Sequence, residues 1–408
     1  MILTFAKKLF NEAKELATTQ ILIVFILFIQ VGIVTRQLGV ESFGRVSLLI
    51  VITSFVFRIL NSRNSDVILI VITKNKENVF TYSILFDLLI GIIGYLICII
   101  LIISPLNFNF GNFYLSNVIH LFLISRIIQG FSETAKAYFT YNNNFKMIAY
   151  SEFLSILIRF LFIITIFIKN PSIENYLIAQ SLFSISYGLI SLFTSFTYNL
   201  KTNMSFSGFN NFLKVIKGNY FKQRGDQIVG LIPQHFDMIL LGYFSDFSTV
   251  GLYRVAKRAI DPINYIVNAL TPIVQNRISN KKNFDVAKFV KLFLIPLSIS
   301  LILFYFLLGK QFLLFVFGED FELAYIQLLI LLVGNLIYLN TFWIRHILLL
   351  KEMINFHTIS RFINTLFFLF FSFIFSTLFP IYAISLGASI GVLIQKIYEF
   401  YIYKSKIN

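Results

Sequence analysis

QILIVFILFIQVGIV, residues 20–34, and IIGYLICIILII, residues 92–103, contain no charged side chain. Crossing the hydrocarbon core of a bilayer as a helix takes about 20 mostly apolar residues. Both runs lie inside apolar segments of about that length, and such segments recur along the whole chain. Working outward from these two, spanning helices are predicted near residues 18–36, 45–72, 81–104, 114–140, 148–168 and 175–198. A second set is predicted near 223–244, 250–277, 289–308, 323–346, 358–379 and 381–403. The span at 45–72 is interrupted by Arg58, Asn61, Arg63 and Asp66, so it is either long and tilted or broken.

Composition agrees with this reading. Of 408 residues, 57% are hydrophobic and 13% charged, and the mean hydropathy is +0.80. Soluble domains carry about 25% charged residues, which excludes a water-soluble globular protein. The net charge of +15 would suggest nucleic acid in a soluble protein. Here the basic residues cluster in short segments between apolar runs, so the charge reads as membrane topology and no nucleic-acid partner is expected. Cys98 is the only cysteine, which removes disulfides and a cysteine-based metal site. His120, His235, His346 and His357 show no metal-ligand spacing. No phosphate-cradling G-x-x-x-x-G-K-[ST] motif is present, so direct ATP use is not expected.

Basic residues also orient the chain. With a cytoplasmic N-terminus, the inner segments hold Lys74, Lys76, Lys136, Lys146, Lys201, Lys214, Lys217, Lys222, Lys281, Lys282, Lys351, Lys404 and others. The outer segments hold only Arg36, Arg45, Lys169 and Lys310. Both termini are therefore expected in the cytoplasm. No cleavable signal peptide is apparent. Residues 1–17 place Ile2, Phe5, Leu9 and Leu16 opposite Lys7, Lys8, Lys14 and Glu15, the pattern of an amphipathic helix on the membrane surface. The expected fold is all-α: a polytopic membrane protein with about twelve transmembrane helices, arranged as two six-helix bundles around a central cavity. Residues 1–200 would form the N-terminal lobe, 201–222 a cytoplasmic linker and 223–408 the C-terminal lobe.

Several spans carry polar residues at helical spacing. The second aligns Arg58, Asn61 and Ser65. The fourth aligns Arg126, Gln129, Glu133 and Thr140, and the fifth Glu152, Ser155 and Arg159. The seventh aligns Gln227, Gln234 and Asp237, with Pro233 adding a kink. The eighth carries Arg254, Lys257, Arg258 and Asp261, followed by Pro262 and Pro272. A charge at the centre of a spanning helix costs about 2.5–3.5 kcal/mol on insertion scales, so Arg58, Arg126 and Arg159 are expected to face a polar cavity. Arg254 and Lys257 either do the same or snorkel to headgroups. Glu152 and Arg159 either line the cavity or pair between helices. Guanidinium groups in a partly desolvated cleft suit phosphate or pyrophosphate, because their planar donors engage two oxygens at once. Glu133, Asp237 and Asp261 could balance that charge or bind a coupling H+ or Na+. No other cofactor is expected.

Two segments resemble a known family. Arg36-Gln37-Leu38-Gly39-Val40-Glu41-Ser42-Phe43-Gly44 is similar to the R-x-L-G-x-x-x-F-G signature of bacterial polysaccharide flippases. Phe236-Asp237-Met238-Ile239-Leu240-Leu241-Gly242, followed by Val250-Gly251-Leu252-Tyr253-Arg254-Val255-Ala256, resembles their seventh and eighth helices. These flippases belong to the multidrug/oligosaccharidyl-lipid/polysaccharide exporter superfamily. The resemblance implies translocation of an undecaprenyl-diphosphate-linked oligosaccharide across the bacterial cytoplasmic membrane for O-antigen or capsule synthesis. It further implies alternating access, ion coupling, and a polysaccharide polymerase and chain-length regulator as partners beside membrane lipids. Asp237 and Arg254 carry over by position. In the signature loop, Gly39 and Gly44 are expected to permit the outer turn, while Arg36 and Phe43 complete the motif. The alternatives are a drug/cation antiporter of the same superfamily and a membrane polysaccharide polymerase. A polymerase would need a large outer loop, and the largest here are 105–113 and 309–322.

Overall fold

The computed structural model describes residues 2–61, 64–74, 79–103, 117–142, 144–196, 209, 212–214, 228–279, 289–351 and 353–406. Among these residues the regular structure is helical, with no strand. In a bilayer this follows from the backbone: without water, every N–H and C=O must find a partner inside its own segment, and a helix achieves that.

Helix α1 (Ile2–Asn61) bends at Gly39, whose φ of 71° and ψ of 174° lie outside helical space, in a region open essentially to glycine alone. That bend makes two arms of one long element. The segment predicted as a surface helix is continuous in its backbone with the first arm, and the side chains of residues 1–21 lie outside the described residues. The second arm is described to Asn61 and α2 (Asn64–Lys74) begins at Asn64; residues 62–63, on which the choice between a tilted and a broken span turns, lie outside the described residues. Then come α3 (Val79–Ile103), α4 (Asn117–Tyr141), α5 (Phe145–Phe162) and α6 (Ile173–Phe196). A wider turn over Ile163–Phe167 extends α5. In the second half, α7 (Asp237–Phe244) follows a wider turn at Ile232–Phe236, where Pro233 lacks the N–H that an α-helical ladder requires. After it come α8 (Phe247–Ser279), α9 (Ile295–Phe317), α10 (Ala324–Leu350), α11 (Ile354–Leu378) and α12 (Ala383–Lys406).

Eight helices among the described residues are long and apolar enough to cross a membrane. One of them, Leu22–Leu69, contains the bend and supplies two spans. Adding α4, α8 and the shorter apolar helix Ile228–Phe244 completes the expected twelve. α4 and α8 fall short on hydropathy because they carry the polar stripes.

Residues 1–38 and 52–228 form one compact unit, and residues 39–51 and 229–408 form the other. The sequence reading put all of residues 1–200 in the first lobe, whereas here residues 39–51 of the α1 second arm belong with the second unit. Within the first unit, α6 turns Ser181, Ser184, Gly188, Ser191 and Ser195 inward. Gly188 lies so close to the Ile128 carbonyl of α4 that a Cβ would overlap it. Small residues at this spacing are how helices pack closely in lipid, where apolar burial drives little association. The inter-lobe linker lies mostly outside the described residues, but its Phe212 is buried against Tyr82 and Phe86 of α3. In the second unit, Gly387 and Gly391 of α12 bring that helix against Ser372, Asn364 and Phe368 of α11.

Candidate functional site

In the first unit the stripe of α4 brings its cation together with neutral partners. Arg126 is partly buried and donates to Gln129 Oε1 at 2.8 Å and to Ser54 Oγ of α1 at 3.4 Å. Its guanidinium carbon lies 4.9 Å from the Phe122 ring centroid. Its Nε is buried with no hydrogen-bond partner among the described residues. Ser184 of α6 donates to the same Gln129 oxygen at 3.2 Å, fixing the amide that orients Arg126. Arg58 and Arg159 lie close enough for their charges to act on Arg126. The three arginines expected to share a cavity are thus electrostatic neighbours in one unit.

They differ in setting. Arg58 is exposed, whereas Arg159 is only 9% exposed. Arg159 Nε donates to Gln30 Oε1 of α1 at 2.7 Å, and Nη1 donates to Gln180 Oε1 of α6 at 3.1 Å. The same Gln30 donates through Nε2 to the Ile156 carbonyl at 3.1 Å. Arg159 also stacks over Phe183 at 4.9 Å. Arg159 therefore ties α1, α5 and α6 together. Glu133 is engaged by Lys136 at 2.7 Å, one turn along α4, and Lys136 lies over the Tyr187 ring.

In the second unit Asp237 is buried at 1% exposure and its carboxylate is fully engaged. Tyr253 Oη donates at 2.6 Å, Lys257 Nζ at 2.5 Å and the Met238 N–H at 2.8 Å. Lys257 Nζ also donates to the Gln234 carbonyl at 2.6 Å, in the wider turn before α7. Arg258 pairs with Asp261 at 2.9 Å on α8, and Arg254 reaches the Met238 sulfur at 3.7 Å. The stripe expected on α8 is present, and each of Glu133, Asp237 and Asp261 sits beside a cation of its own unit. Gln227 lies outside the described residues.

The signature loop divides into different roles. Gly39 makes the bend. Gly44 does not: it is helical, and it lets the second arm of α1 lie against the start of α8, where a Cβ would overlap the Phe247 carbonyl. Gly251 answers it across the crossing, against the Val40 carbonyl. Phe43 is buried edge-on to Phe321 at 6.1 Å, and Arg36 is exposed. Arg45, one residue past the signature, bridges Glu41 at 3.1 Å and covers the Phe247 ring.

Two polar clusters escaped the stripe argument. Asp87 is the only charged residue of α3 and is completely buried. A lone carboxylate in so apolar a helix was a legible signal, because an intramembrane ionisable group marks function by default. Glu399 of α12 is also completely buried. It accepts from Ser360 at 2.7 Å, Gln395 at 3.0 Å and Lys396 at 2.7 Å, with His357 Nδ1 at 3.3 Å. Gln395, Lys396 and Glu399 share one helix face, a spacing readable in the sequence.

The fold of this α-helical chain is shared with solved transporters of the MOP superfamily. A lipid II flippase MurJ in an inward closed conformation superposes with a TM-score of 0.78 at 18% identity, covering 97% of this chain and 87% of that one. An inward-facing multidrug resistance MATE family transporter of the MOP superfamily gives 0.70 at 16% identity, covering 96% and 98%. A MOP superfamily transporter from Pyrococcus furiosus, described by the reverse polarity of its binding pocket, gives 0.62 at 16% identity, covering 96% and 92%. A comparison with curated proteins finds no match. Residues 33–326 match the family described as "Polysaccharide biosynthesis protein", and the chain belongs to that family.

Proposed function

We propose that this chain is a flippase that moves an undecaprenyl-diphosphate-linked oligosaccharide from the cytoplasmic to the outer leaflet of the bacterial cytoplasmic membrane, by alternating access. The single observation that carries the reading is Arg126. Among the described residues this guanidinium, partly buried in a spanning helix, meets an amide, a hydroxyl and a ring but no carboxylate. Arg58 and Arg159 add to the same positive field. A diphosphate supplies the missing countercharge, and in a medium of low dielectric that attraction is strong. The membership in a polysaccharide biosynthesis family and the fold shared with a lipid II flippase agree with a lipid-linked glycan as cargo. In this reading the glycan is then passed to a polymerase and chain-length regulator, both termini face the cytoplasm, and H+ or Na+ drives the cycle.

The test is surface glycan in cells whose own copy is replaced by a variant. Arg126→Ala should lower export about 10- to 100-fold, the loss of one charged hydrogen-bonding contact, while protein level holds and lipid-linked oligosaccharide accumulates. Arg126→Lys should keep part of the activity, since charge remains but the planar fork is gone. Wild-type export by Arg126→Ala would refute the proposal. Resistance to cationic drugs that fell with Arg126→Ala, with glycan unchanged, would favour the antiporter instead.

A further inference from the structure

Asp87 stands apart from the other buried carboxylates among the described residues. Asp237 is engaged by Lys257 and Glu399 by Lys396. Asp87 accepts only from neutral groups among the described residues: the Thr134 hydroxyl at 2.5 Å, the Thr134 N–H at 3.2 Å and the Asn64 amide at 3.2 Å. Asn64 in turn reaches Asn61 Oδ1 at 3.4 Å. The charged group that acts on Asp87 is Glu133 of α4, a like charge whose own ion pair is with Lys136. From α1 and α2 the facing groups are the neutral Asn61 and Asn64.

A carboxylate charge buried without a counter-charge is costly, and one cation removes the cost. The side chains here can supply oxygen ligands: two from Asp87, the Thr134 hydroxyl, and the side-chain carbonyls of Asn61 and Asn64 once the amides turn. Hard oxygen donors of this kind suit a small hard cation. Equally, a proton on Asp87 finds an acceptor in either amide oxygen. Resting on the transporter reading above, we propose that Asp87, Thr134, Asn61 and Asn64 form the binding site for the monovalent cation, H+ or Na+, that drives the cycle.

The location connects the site to the cargo. Asn61 is the last described residue of α1, Asn64 the first of α2, and Thr134 lies on α4 eight residues from Arg126, roughly 12 Å along the helix. Binding a cation draws α2, α3 and α4 together at Asn64, Asp87 and Thr134. The same α4 presents Arg126, so occupancy of the carboxylate and the position of the guanidinium are mechanically linked.

The experiment is thermal unfolding of the purified full-length protein, with Na+ against choline at constant ionic strength and across mildly acidic to mildly alkaline pH. Na+ should stabilise the wild type and not Asp87→Asn if the cation is sodium. If it is a proton, acidification should stabilise the wild type more than Asp87→Asn, with no Na+ effect. Thr134→Val, which keeps the carboxylate, should weaken the apparent affinity for the effective cation about tenfold. That variant also carries the test if Asp87→Asn does not fold. Responses to both cations that match wild type in Asp87→Asn and in Thr134→Val overturn the inference, and so does a wild type that responds to neither. A protein that binds the cation at Asp87 but exports no glycan keeps this site and loses the flippase reading.

Discussion

Gly44 lies directly against the backbone at Gly251. A Cβ on Gly44 would stand 2.8 Å from the Gly251 amide nitrogen and would overlap the Phe247 carbonyl. Nothing but hydrogen fits there, so two glycines far apart in sequence serve one crossing of helices, and helix backbones that close are a membrane-protein device.

Substituting these glycines should separate crowding from backbone strain. Gly44→Ala and Gly251→Ala should each destabilise by about 1–3 kcal/mol, since the obstructing atoms are backbone and cannot step aside. Gly39→Ala should also cost about 1–3 kcal/mol, although nothing lies within 4 Å of the added methyl. Its penalty is purely conformational. Thermal unfolding of the purified variants measures all three, and a neutral Gly39→Ala would contradict the bend.

The two lysine–carboxylate pairs of the second unit should respond differently to loss of the cation. Lys396 and Glu399 are 4% and 0% exposed, whereas Lys257 is 31% exposed beside Asp237 at 1%. Lys396→Met leaves a carboxylate that water cannot reach and should cost about 3–5 kcal/mol. Lys257→Met should cost less, about 1–3 kcal/mol, because water can replace the partly exposed ammonium. Adding Glu399→Gln to Lys396→Met should restore most of the lost stability. A double variant no more stable than the single one would show that the pair is not the coupled unit. The readout is the same unfolding midpoint.

Orientation can be read with one introduced thiol. Lys310, expected in an outer loop at 309–322, lies instead within the last turns of α9, half exposed and paired with Glu322 at 2.6 Å, while Cys98 is completely buried. Lys310→Cys should react with a membrane-impermeant maleimide in intact cells, and the wild type should stay unlabelled. Labelling that appears only after lysis would place this end of α9 in the cytoplasm and invert the topology.

Much of this was legible before folding. The positions of the spans followed from runs such as residues 20–34. Arg126 emerged from its place in an apolar helix. Helical spacing also found Asp237 and Lys257, but on separate helices, and could not show that they meet. The role of Gly44 was misread because a glycine near a turn looks like a turn residue, and only the neighbouring backbone shows otherwise. Asp87, a single carboxylate in an apolar helix, has no second charged residue on α3 to mark a stripe.

What the chain determined by itself is the list of membrane-crossing segments. Each needs only its own apolar length, a local property set by the exclusion of water from the bilayer. Pairings between distant segments were decided by the tertiary structure: Arg159 with Gln30, Asp87 with Thr134, Gly44 with Gly251. Such contacts depend on which helix faces meet and how closely, and in lipid that is settled by small residues and complementary polar groups across two helices at once.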